Sequence, residues 1–345
     1  MELKDFSYFL PEDLIAQQPY GQRDHSRMLF VDRNEEKIAD NRFLQLPDFL
    51  RNGDVLVIND SKVIPARLFG KKQTGAIVEI LLLIKKEGNK ESETWEVLLK
   101  PAKRMHENDM LFLGENCEAK IIARVSDKKW LMEFAAADGF ENFINRFGHA
   151  PLPPYIKRKK NEVQNKRDFE RYQTIYAKNP GSVAAPTAGL HFSADILRSL
   201  EAKGVQIASI TLHVGLGTFL PIEVNEIKNH IMESEHYEIS PEASRIINNA
   251  RKVIAVGTTS TRAIESAVNG NGYIQPQSGE TSLFIYPGYR FKKVDGLLTN
   301  FHLPQSSLFL LVCAFAGTAF IKKAYQLAVQ KRYNFYSYGD CMFIV

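Results

Sequence analysis

Four short segments combine small and hydroxyl-bearing residues with groups that can bind a ligand or move a proton. They are GSVAAPTAGLHF at 181–192, TLHVGLGTFLP at 211–221, VIAVGTTSTR at 253–262 and NFHLPQSS at 300–307. Small residues let backbone amides approach a neighbouring group closely, and imidazoles exchange protons near neutral pH. Each segment alone also fits a packed turn, but four of them in one chain favour a ligand site.

The first two segments place histidines near glycines. A single histidine in a strand is more often a packed core residue than a catalyst, so both interpretations of His213 stay open, although the Gly-Leu-Gly after it favours a function. The candidates from these segments are Thr187, Gly189, His191, His213, Gly215 and Gly217.

The third segment runs from a hydrophobic strand through glycine into the start of a helix. Thr258, Thr259 and Ser260 can cap this helix, and its first N–H groups are suited to a carboxylate or a phosphate. Arg262 opposes the helix dipole there, which a bound anion would explain. The dinucleotide pattern G-x-G-x-x-G is absent. The fourth segment adds four polar candidates in a proline turn, namely Asn300, His302, Ser306 and Ser307.

Three further polar clusters are less specific. HIMESEH at 230–236 lacks the H-E-x-x-H and H-x-x-E-H spacings of zinc proteases, so a solvated helix face is its default interpretation. RDHSR and NDSKVIPAR flank predicted strands, and either bind a ligand or close a turn. Their candidate binding residues are Arg23, Asp24, Arg27, Asn59 and Arg67.

Positive charge is concentrated in one segment. Residues 155–178 hold eight lysines and arginines and three acidic residues, which is a local net charge of +5. The whole chain has a net charge of +4, so the other residues together carry −1. Four aromatic residues lie among these cations, a combination that suits phosphate contacts and base stacking. A solvated charged loop is the alternative. The candidate RNA-binding residues are Lys157, Arg158, Lys159, Lys160 and Arg171.

Length and composition predict a cytoplasmic protein of two domains. A chain of 345 residues with 44% hydrophobic residues can build sizeable cores. Its three cysteines are far apart, which argues against a disulfide framework and against a zinc knuckle. The amino-terminal residues lack the apolar stretch of a signal peptide, and 307–320 is too short an apolar run to span a bilayer, so no membrane association is expected.

The pattern of apolar, polar and turn-forming residues along the chain predicts an α/β main domain with an inserted all-β antiparallel barrel domain. Residues 68–136 read as short strands separated by polar turns, followed by a helix at 139–147 and a proline-rich connector at 149–156, so the inserted domain is expected to span 68–149. The main domain then comprises 1–67 and 150–345. Its expected strands are 28–33, 54–59, 205–214, 253–257 and 341–345, and its expected helices are 10–18, 193–203, 241–250, 260–268 and 314–331.

Ten stretches, taken together, resemble the S-adenosylmethionine:tRNA ribosyltransferase-isomerase family of the queuosine pathway. They are LPEDLIAQQP, RDHSRML, NDSKVIPARL, PLPPYI, YQTIYA, GSVAAPTAGLHF, LHVGLGTF, VIAVGTTSTR, LFIYPGYRFKKVDGLLTNFHLPQSSL and YSYGD. The resemblance implies an α/β domain with an inserted β-barrel. It also implies transfer of the ribosyl carbons of S-adenosylmethionine to 7-aminomethyl-7-deazaguanine at the tRNA wobble position, giving epoxyqueuosine, adenine and methionine. It implies no metal and no prosthetic group.

Roles for the residues follow from this chemistry as hypotheses. A sulfonium acidifies the adjacent carbon, so a base must start the reaction, and His191, His213, Glu235 and His302 are the catalytic candidates. Arg262 and the helix start at 258–260 suit the methionine carboxylate, and the basic segment suits the anticodon arm of tRNA. The family usually has a histidine where this chain has Glu233, and an arginine where it has Asn334.

Two other functions compete with this one. An ordinary methyltransferase would place a glycine-rich acidic loop after its first strand, whereas VINDSK at 57–62 has no glycine. A non-catalytic RNA-binding protein would explain the basic segment but not the uncharged small-residue segments.

Overall fold

A large mixed β-sheet is assembled from both ends of the chain. The computed structural model describes residues 1–89, 92–114, 116–158, 166–215, 217 and 221–345. The strands are β1 Arg27–Asp32, β2 Lys37–Arg42, β3 Asp54–Asn59, β4 Ser61–Val63, β5 Arg67–Lys71, β6 Ile77–Gly88, β7 Ser92–Lys100, β8 Met110–Leu113, β9 Cys117–Arg124, β10 Lys129–Ala136, β11 Asn179–Ser182, β12 Gln206–Leu212, β13 Glu235–Ile239, β14 Lys252–Val256, β15 Gln277–Thr281, β16 Gly296–Asn300 and β17 Cys341–Ile344.

Helices connect and cover these strands. The α-helices are α1 Phe140–Phe147, α2 Lys166–Arg171, α3 Ala194–Ala202, α4 Pro241–Asn248, α5 Gly257–Ala267, α6 Ser307–Ala316 and α7 Thr318–Gln330. Short 3-10 helices are found at Leu3–Phe6, Glu12–Leu14, Arg23–His25, Phe43–Phe49, Thr187–His191 and Ile227–Asn229.

The nine-stranded sheet has the order β15-β13-β12-β3-β14-β16-β17-β1-β2. Its centre, β12-β3-β14-β16, is parallel, and antiparallel strands extend it at both sides. The central strand β3 is buried along its whole length, as expected for a parallel strand covered on both faces. Val55 and Val57 pack into the core formed with α4–α7, and Leu56 and Ile58 into the core formed with α3, because successive side chains alternate between the faces.

The second sheet is a closed six-stranded barrel, in the order β10-β7-β6-β5-β8-β9, with all its pairs antiparallel. Alternate residues of β10 point inward, including Trp130, Met132 and Phe134, and α1 adds Phe140 to the same core. Arg67 and His149 form a bridge where the chain enters and leaves this unit. The predicted fold class, an α/β domain with an inserted antiparallel barrel, is confirmed.

Three helix predictions need correction. Residues 230–236 do not form the expected helix face, because Glu235 and His236 begin β13. The stretch 10–18 forms only the short 3-10 helix Glu12–Leu14, since Pro11 and Pro19 flank it and leave little room for a longer helix. The expected helix at 314–331 is interrupted, because α6 ends at Gly317, whose φ of +85° turns the chain into α7. In the described part of the chain, no single helix is long and apolar enough to cross a membrane, although α6 and α7, bent by 115°, pass that test as a pair.

Candidate functional site

A cavity of about 360 Å³ opens at the carboxyl ends of the parallel strands β14 and β16. In parallel α/β sheets this edge is the usual location of ligand sites. All four small-residue segments reach it, and the second, 211–221, does so only through Val214 and Pro221. Its predicted site residues are Thr187, Thr258, Thr259, Asn300, His302 and Ser306.

The start of α5 forms one wall of this cavity. Gly257 has a φ of +89°, which allows the chain to turn from β14 directly into the helix. The hydroxyls of Ser260 and Thr261 donate back to the carbonyls of Val256 and Gly257, at 2.8 and 3.0 Å, and α5 has no side-chain cap. The predicted capping role of Thr258, Thr259 and Ser260 is therefore wrong. Thr258 and Thr259 face the cavity instead, and the uncapped helix start suits an anion.

His302 lies in the cavity wall as a neutral imidazole. Burial lowers its pKa from 6.5 to about 3. Its Nε2 lies 2.7 Å from the Thr299 hydroxyl, and its backbone N–H donates to the hydroxyl of Tyr325 at 3.1 Å. The backbone carbonyl of His302 accepts from Tyr8. These contacts fix the orientation of the ring.

His191 lies behind the cavity wall, at the end of the 3-10 helix that carries Thr187. Its Nδ1 is 2.8 Å from the Ser26 hydroxyl, and its Nε2 is buried without a hydrogen bond of ordinary geometry. Burial lowers the pKa of His191 to about 4, and the adjacent Asn300 side chain acts in the opposite direction. Asn300 also lines the cavity, so this amide separates His191 from the space where a ligand would lie.

Glu235 and Arg262 form a buried ion pair with each other, away from the cavity lining. Glu235 also accepts from the N–H of Gly215 at 2.9 Å, and Arg262 donates to the carbonyls of Leu283 and Thr281 at 2.9 and 3.4 Å. The carboxylate that explains a cation early in α5 thus comes from the chain itself. Arg262 was predicted to bind the methionine carboxylate, but it lies outside the cavity lining and is neutralised by Glu235.

His213 points away from the cavity, although its neighbour Val214 lines it. A Cβ at Gly181 would lie 2.8 Å from the His213 ring, so this glycine permits their close packing. Burial and the neighbouring His236 lower the pKa of His213. Gly217 lies against Glu233, which pairs with Lys129 of the barrel. Neither His213 nor Gly217 is brought to the cavity.

The remaining predicted binding residues have partners within the protein. The Asn59 side chain donates to the backbone carbonyl of Leu212 at 2.9 Å and accepts from the Leu212 N–H at 3.0 Å. Arg27 pairs with Asp40, and Arg67 pairs with Glu79. Ser306 caps α6, which begins at the buried Ser307, and Asp24 is a buried residue of the 3-10 helix that contains Arg23. Gly189 packs against Tyr176 and Thr174 rather than against the cavity.

The candidate RNA-binding residues differ in their surroundings. Arg158 is held by Asp168 in two hydrogen bonds, of 2.8 and 2.7 Å. Lys157 is exposed, and Arg171 lies beside Arg23 at a second, small cavity. Lys159 and Lys160 lie outside the described residues.

Tyr155, Tyr336 and Ser337 also line the cavity, although none of them was among the predicted site residues. The rings of Tyr155 and Tyr336 lie 4.3 Å apart, and the Tyr155 hydroxyl is 2.6 Å from that of Ser337. Tyr336 has a φ of +72°, and Gln305, also in the lining, has a φ of +60°. Strained backbone of this kind is typical of functional sites. The aromatic and hydroxyl residues of YSYGD were the available signal.

The chain is similar over its whole length to several known proteins. Residues 3–344 match the family model described as queuosine biosynthesis protein. A protein of Syntrophus aciditrophicus named S-adenosylmethionine:tRNA ribosyltransferase-isomerase is 53% identical, with both chains fully covered. One of the same name from Trichlorobacter lovleyi is 45% identical, also with full coverage. The crystal structure of a Thermotoga maritima S-adenosylmethionine tRNA ribosyltransferase is 33% identical, with a TM-score of 0.56, over 99% of this chain and 100% of that one.

Proposed function

The chain belongs to the queuosine biosynthesis protein family and is a transferase-isomerase, and we propose its full reaction from this premise. It transfers and isomerises the ribosyl moiety of S-adenosylmethionine onto 7-aminomethyl-7-deazaguanine at the wobble position of tRNA. Epoxyqueuosine forms in the RNA, and adenine and methionine leave. This proposal rests on one observation, that residues from separate family motifs line the same cavity.

The cavity suits S-adenosylmethionine in size and in chemistry. Its volume of about 360 Å³ lies within the range of small-molecule sites. The uncapped start of α5, with Thr258 and Thr259, offers N–H and hydroxyl groups to the methionine carboxylate. Tyr155 and Tyr336 offer aromatic surface to the adenine ring.

Neutral imidazoles at the site suit the first chemical step. Removal of a proton from the carbon next to the sulfonium needs an unprotonated base. His302 and His191 have pKa values of about 3 and 4, so both are free bases at neutral pH. His302 lines the cavity and His191 reaches it through Asn300. His213 and Glu235 remain alternatives that would need the 211–221 segment to approach the ligand.

The basic segment 155–178 is proposed to receive the anticodon arm of the tRNA. It begins at Tyr155, which is itself in the cavity wall, so RNA bound along this segment would lie next to the ligand. We further propose that S-adenosylmethionine is a co-substrate, that no metal or prosthetic group takes part, and that the enzyme works in the cytoplasm. The three cysteines are free thiols, each of them buried, as suits a reducing compartment.

Product analysis tests the reaction. The enzyme is incubated with S-adenosylmethionine and tRNA that carries the aminomethyl-deazaguanine, and the small-molecule products are quantified chromatographically. Adenine and methionine are expected in equal amounts, with none formed from tRNA that carries guanine at the wobble position. S-adenosylhomocysteine would instead identify a methyltransferase, and binding without any product would identify a non-catalytic RNA-binding protein.

A further inference from the structure

Two arginines lie side by side at a second cavity, which has a volume of about 20 Å³. Arg23 belongs to the 3-10 helix before β1, and Arg171 ends α2. Tyr20, Tyr338 and His191 also line this cavity. The positive charge of Arg171 is close enough to lower the pKa of Arg23, after the larger effect of burial. Two like charges are thus held together in a half-buried position.

No carboxylate in the described part of the chain forms an ion pair with either guanidinium. Arg23 donates to the carbonyls of Leu190 and Glu170, at 3.2 and 3.0 Å. Arg171 donates to the carbonyls of Gly21 and Tyr20, at 2.9 and 2.6 Å, and its buried Nε has no hydrogen-bond partner among the described residues. Carbonyl groups fix the orientation of a guanidinium but leave its net charge uncompensated. An external anion would supply that compensation.

Not every arginine of the basic segment has an uncompensated charge. Arg158 lies in the same basic segment, but Asp168 neutralises it with two hydrogen bonds. Arg23 and Arg171 are instead fixed by backbone groups, with their charges left available. Two fixed forks of this kind match the oxygens of a phosphate better than a flexible lysine does.

The small cavity adjoins the ligand cavity. Ser337 lines both cavities, and His191 and Leu190 of the small one follow Thr187 and Ala188 of the large one along the same short helix. An anion held by the two arginines would therefore be separated from the reacting ligand by this one helix and by Ser337.

We propose that Arg23 and Arg171 form a binding site for one phosphodiester group of the substrate RNA, which fixes the position of the target nucleotide relative to the ligand cavity. This inference rests on the proposed function, because it takes tRNA as the substrate. A cavity of about 20 Å³ is too small for the methionine portion of S-adenosylmethionine. A phosphodiester on the RNA backbone needs only to bring its oxygens to the two guanidinium groups, so the anion is assigned to the RNA.

Binding measurements with single neutral variants test the site. Arg23→Gln and Arg171→Gln are compared with Arg245→Gln, which removes one exposed positive charge on α4. The probe is an anticodon stem-loop with the aminomethyl-deazaguanine, titrated at several salt concentrations by fluorescence anisotropy. Each site variant is expected to bind the RNA about tenfold more weakly, and to reduce the slope of log affinity against log salt by about 1. Both site variants should bind S-adenosylmethionine with wild-type affinity, and Arg245→Gln should bind the RNA with wild-type affinity.

Removal of a single RNA charge identifies the phosphate. An uncharged methylphosphonate replaces one phosphate of the RNA at a time. At one position this replacement is expected to weaken RNA binding by wild type, but not to weaken further the binding by Arg171→Gln. Arg171→Lys, which keeps the charge but loses the fork, should fall between wild type and Arg171→Gln. Circular dichroism melting confirms that each variant is folded.

Three results would overturn the phosphate site. Loss of S-adenosylmethionine affinity with unchanged RNA affinity would assign the arginines to the methionine carboxylate. Unchanged affinity for both would make them structural links between 20–23 and 170–171, and a methylphosphonate effect equal in wild type and Arg171→Gln would place the phosphate elsewhere. The proposed function fails separately, if wild type makes no adenine and methionine from the modified tRNA.

Discussion

At the scale of single residues, the two histidines nearest the ligand cavity are buried and uncharged. Desolvation favours the neutral form of an imidazole, and this is the main cause of the low pKa of both His191 and His302. Such an imidazole is unprotonated at any pH at which the enzyme works, but its low pKa also makes it a weaker base than an exposed histidine. The burial that looks purely structural therefore also keeps each ring in the form that a general base requires.

We expect His191→Gln to lower turnover by about 10²-fold or more, with S-adenosylmethionine affinity within about twofold of wild type. Glutamine can still accept from or donate to Ser26 but cannot exchange a proton. Single-turnover kinetics and equilibrium dialysis measure the two quantities. The control is His106→Gln, since His106 is exposed on the barrel.

The pH dependence of wild type adds a second criterion. Because the pKa of His191 is about 4, it stays unprotonated from pH 8 down to pH 5, and turnover should not fall over this range on its account. Normal turnover of His191→Gln would make this residue structural, and the role of the base would pass to His302, His213 or Glu235.

At the scale of elements, the Glu235–Arg262 pair joins β13 to α5. Arg262→Gln leaves a carboxylate buried without its cation, and we expect a loss of about 3–5 kcal/mol in the free energy of unfolding. The double variant with Glu235→Gln should recover a substantial part of that loss, because no buried charge then remains. Urea unfolding of wild type, Arg262→Gln, Glu235→Gln and the double variant measures these free energies.

An exposed ion pair gives the matched control for that cycle. Asp195 and Arg198 pair on the surface of α3, and removal of Arg198 should cost less than about 1 kcal/mol. If Arg262→Gln costs no more than Arg198→Gln, the buried pair does not hold the two elements together.

The segment that carries Thr187 and His191 is fixed by close packing at Gly189. A Cβ at this position would clash with the Tyr176 hydroxyl and lie 2.8 Å from Cγ2 of Thr174. Gly189→Ala should therefore destabilise the protein by about 1–3 kcal/mol. The Tyr176 hydroxyl has no hydrogen-bond partner among the described residues, so Tyr176→Phe alone should cost little.

Rescue by that second change distinguishes packing from ligand contact. Gly189→Ala with Tyr176→Phe is expected to be more stable than Gly189→Ala alone, as measured by thermal unfolding. Gly270→Ala, at a position with no atoms within 4 Å of the added Cβ, is the control and should stay near wild type. A Gly189→Ala variant of wild-type stability would contradict this account of the segment.

Sequence patterns predicted those elements whose residues alternate or are uniformly apolar. β3, β14 and the barrel strands follow this rule, and so does the amphipathic helix α3. The polar strands β13 and β15 were missed, because EHYEI and QSGET become strands through tertiary pairing, β13 with β12 and β15, and β15 with β13 at the sheet edge. The break at Gly317 was also missed, since one glycine within an apolar run does not by itself reveal a positive φ.

At the scale of the whole molecule, the order of strands brings together segments far apart in sequence. The small-residue segments were each predictable as loops, but their convergence depends on β14 and β16 being neighbours. The Arg23–Arg171 pair depends on contacts over 150 residues of sequence, which no local pattern can specify. The Glu235–Arg262 pair was hidden for the same reason, although both residues were recognised as unusual.

The two buried histidines also make the stability of the whole molecule depend on pH. In the unfolded chain both imidazoles have a pKa near 6.5, whereas in the folded protein their pKa values are about 4 and 3. Below pH 6.5 the unfolded chain therefore binds protons that the folded protein excludes. Their contribution to stability is complete above pH 6.5 and is lost as the pH falls toward 4 and 3.

Between pH 6.5 and pH 5 this loss should reach about 2 kcal/mol for each histidine. Urea unfolding of wild type, His191→Gln and His302→Gln at both pH values measures it. Each variant has a different stability at pH 6.5, because packing is altered, but the decrease on going to pH 5 should be smaller than in wild type by about that amount. His106→Gln should show the wild-type decrease. If all four proteins lost the same free energy over this interval, the two imidazoles would titrate alike in the folded and unfolded chains, and His191 and His302 would not be the desolvated neutral bases on which the proposed chemistry depends.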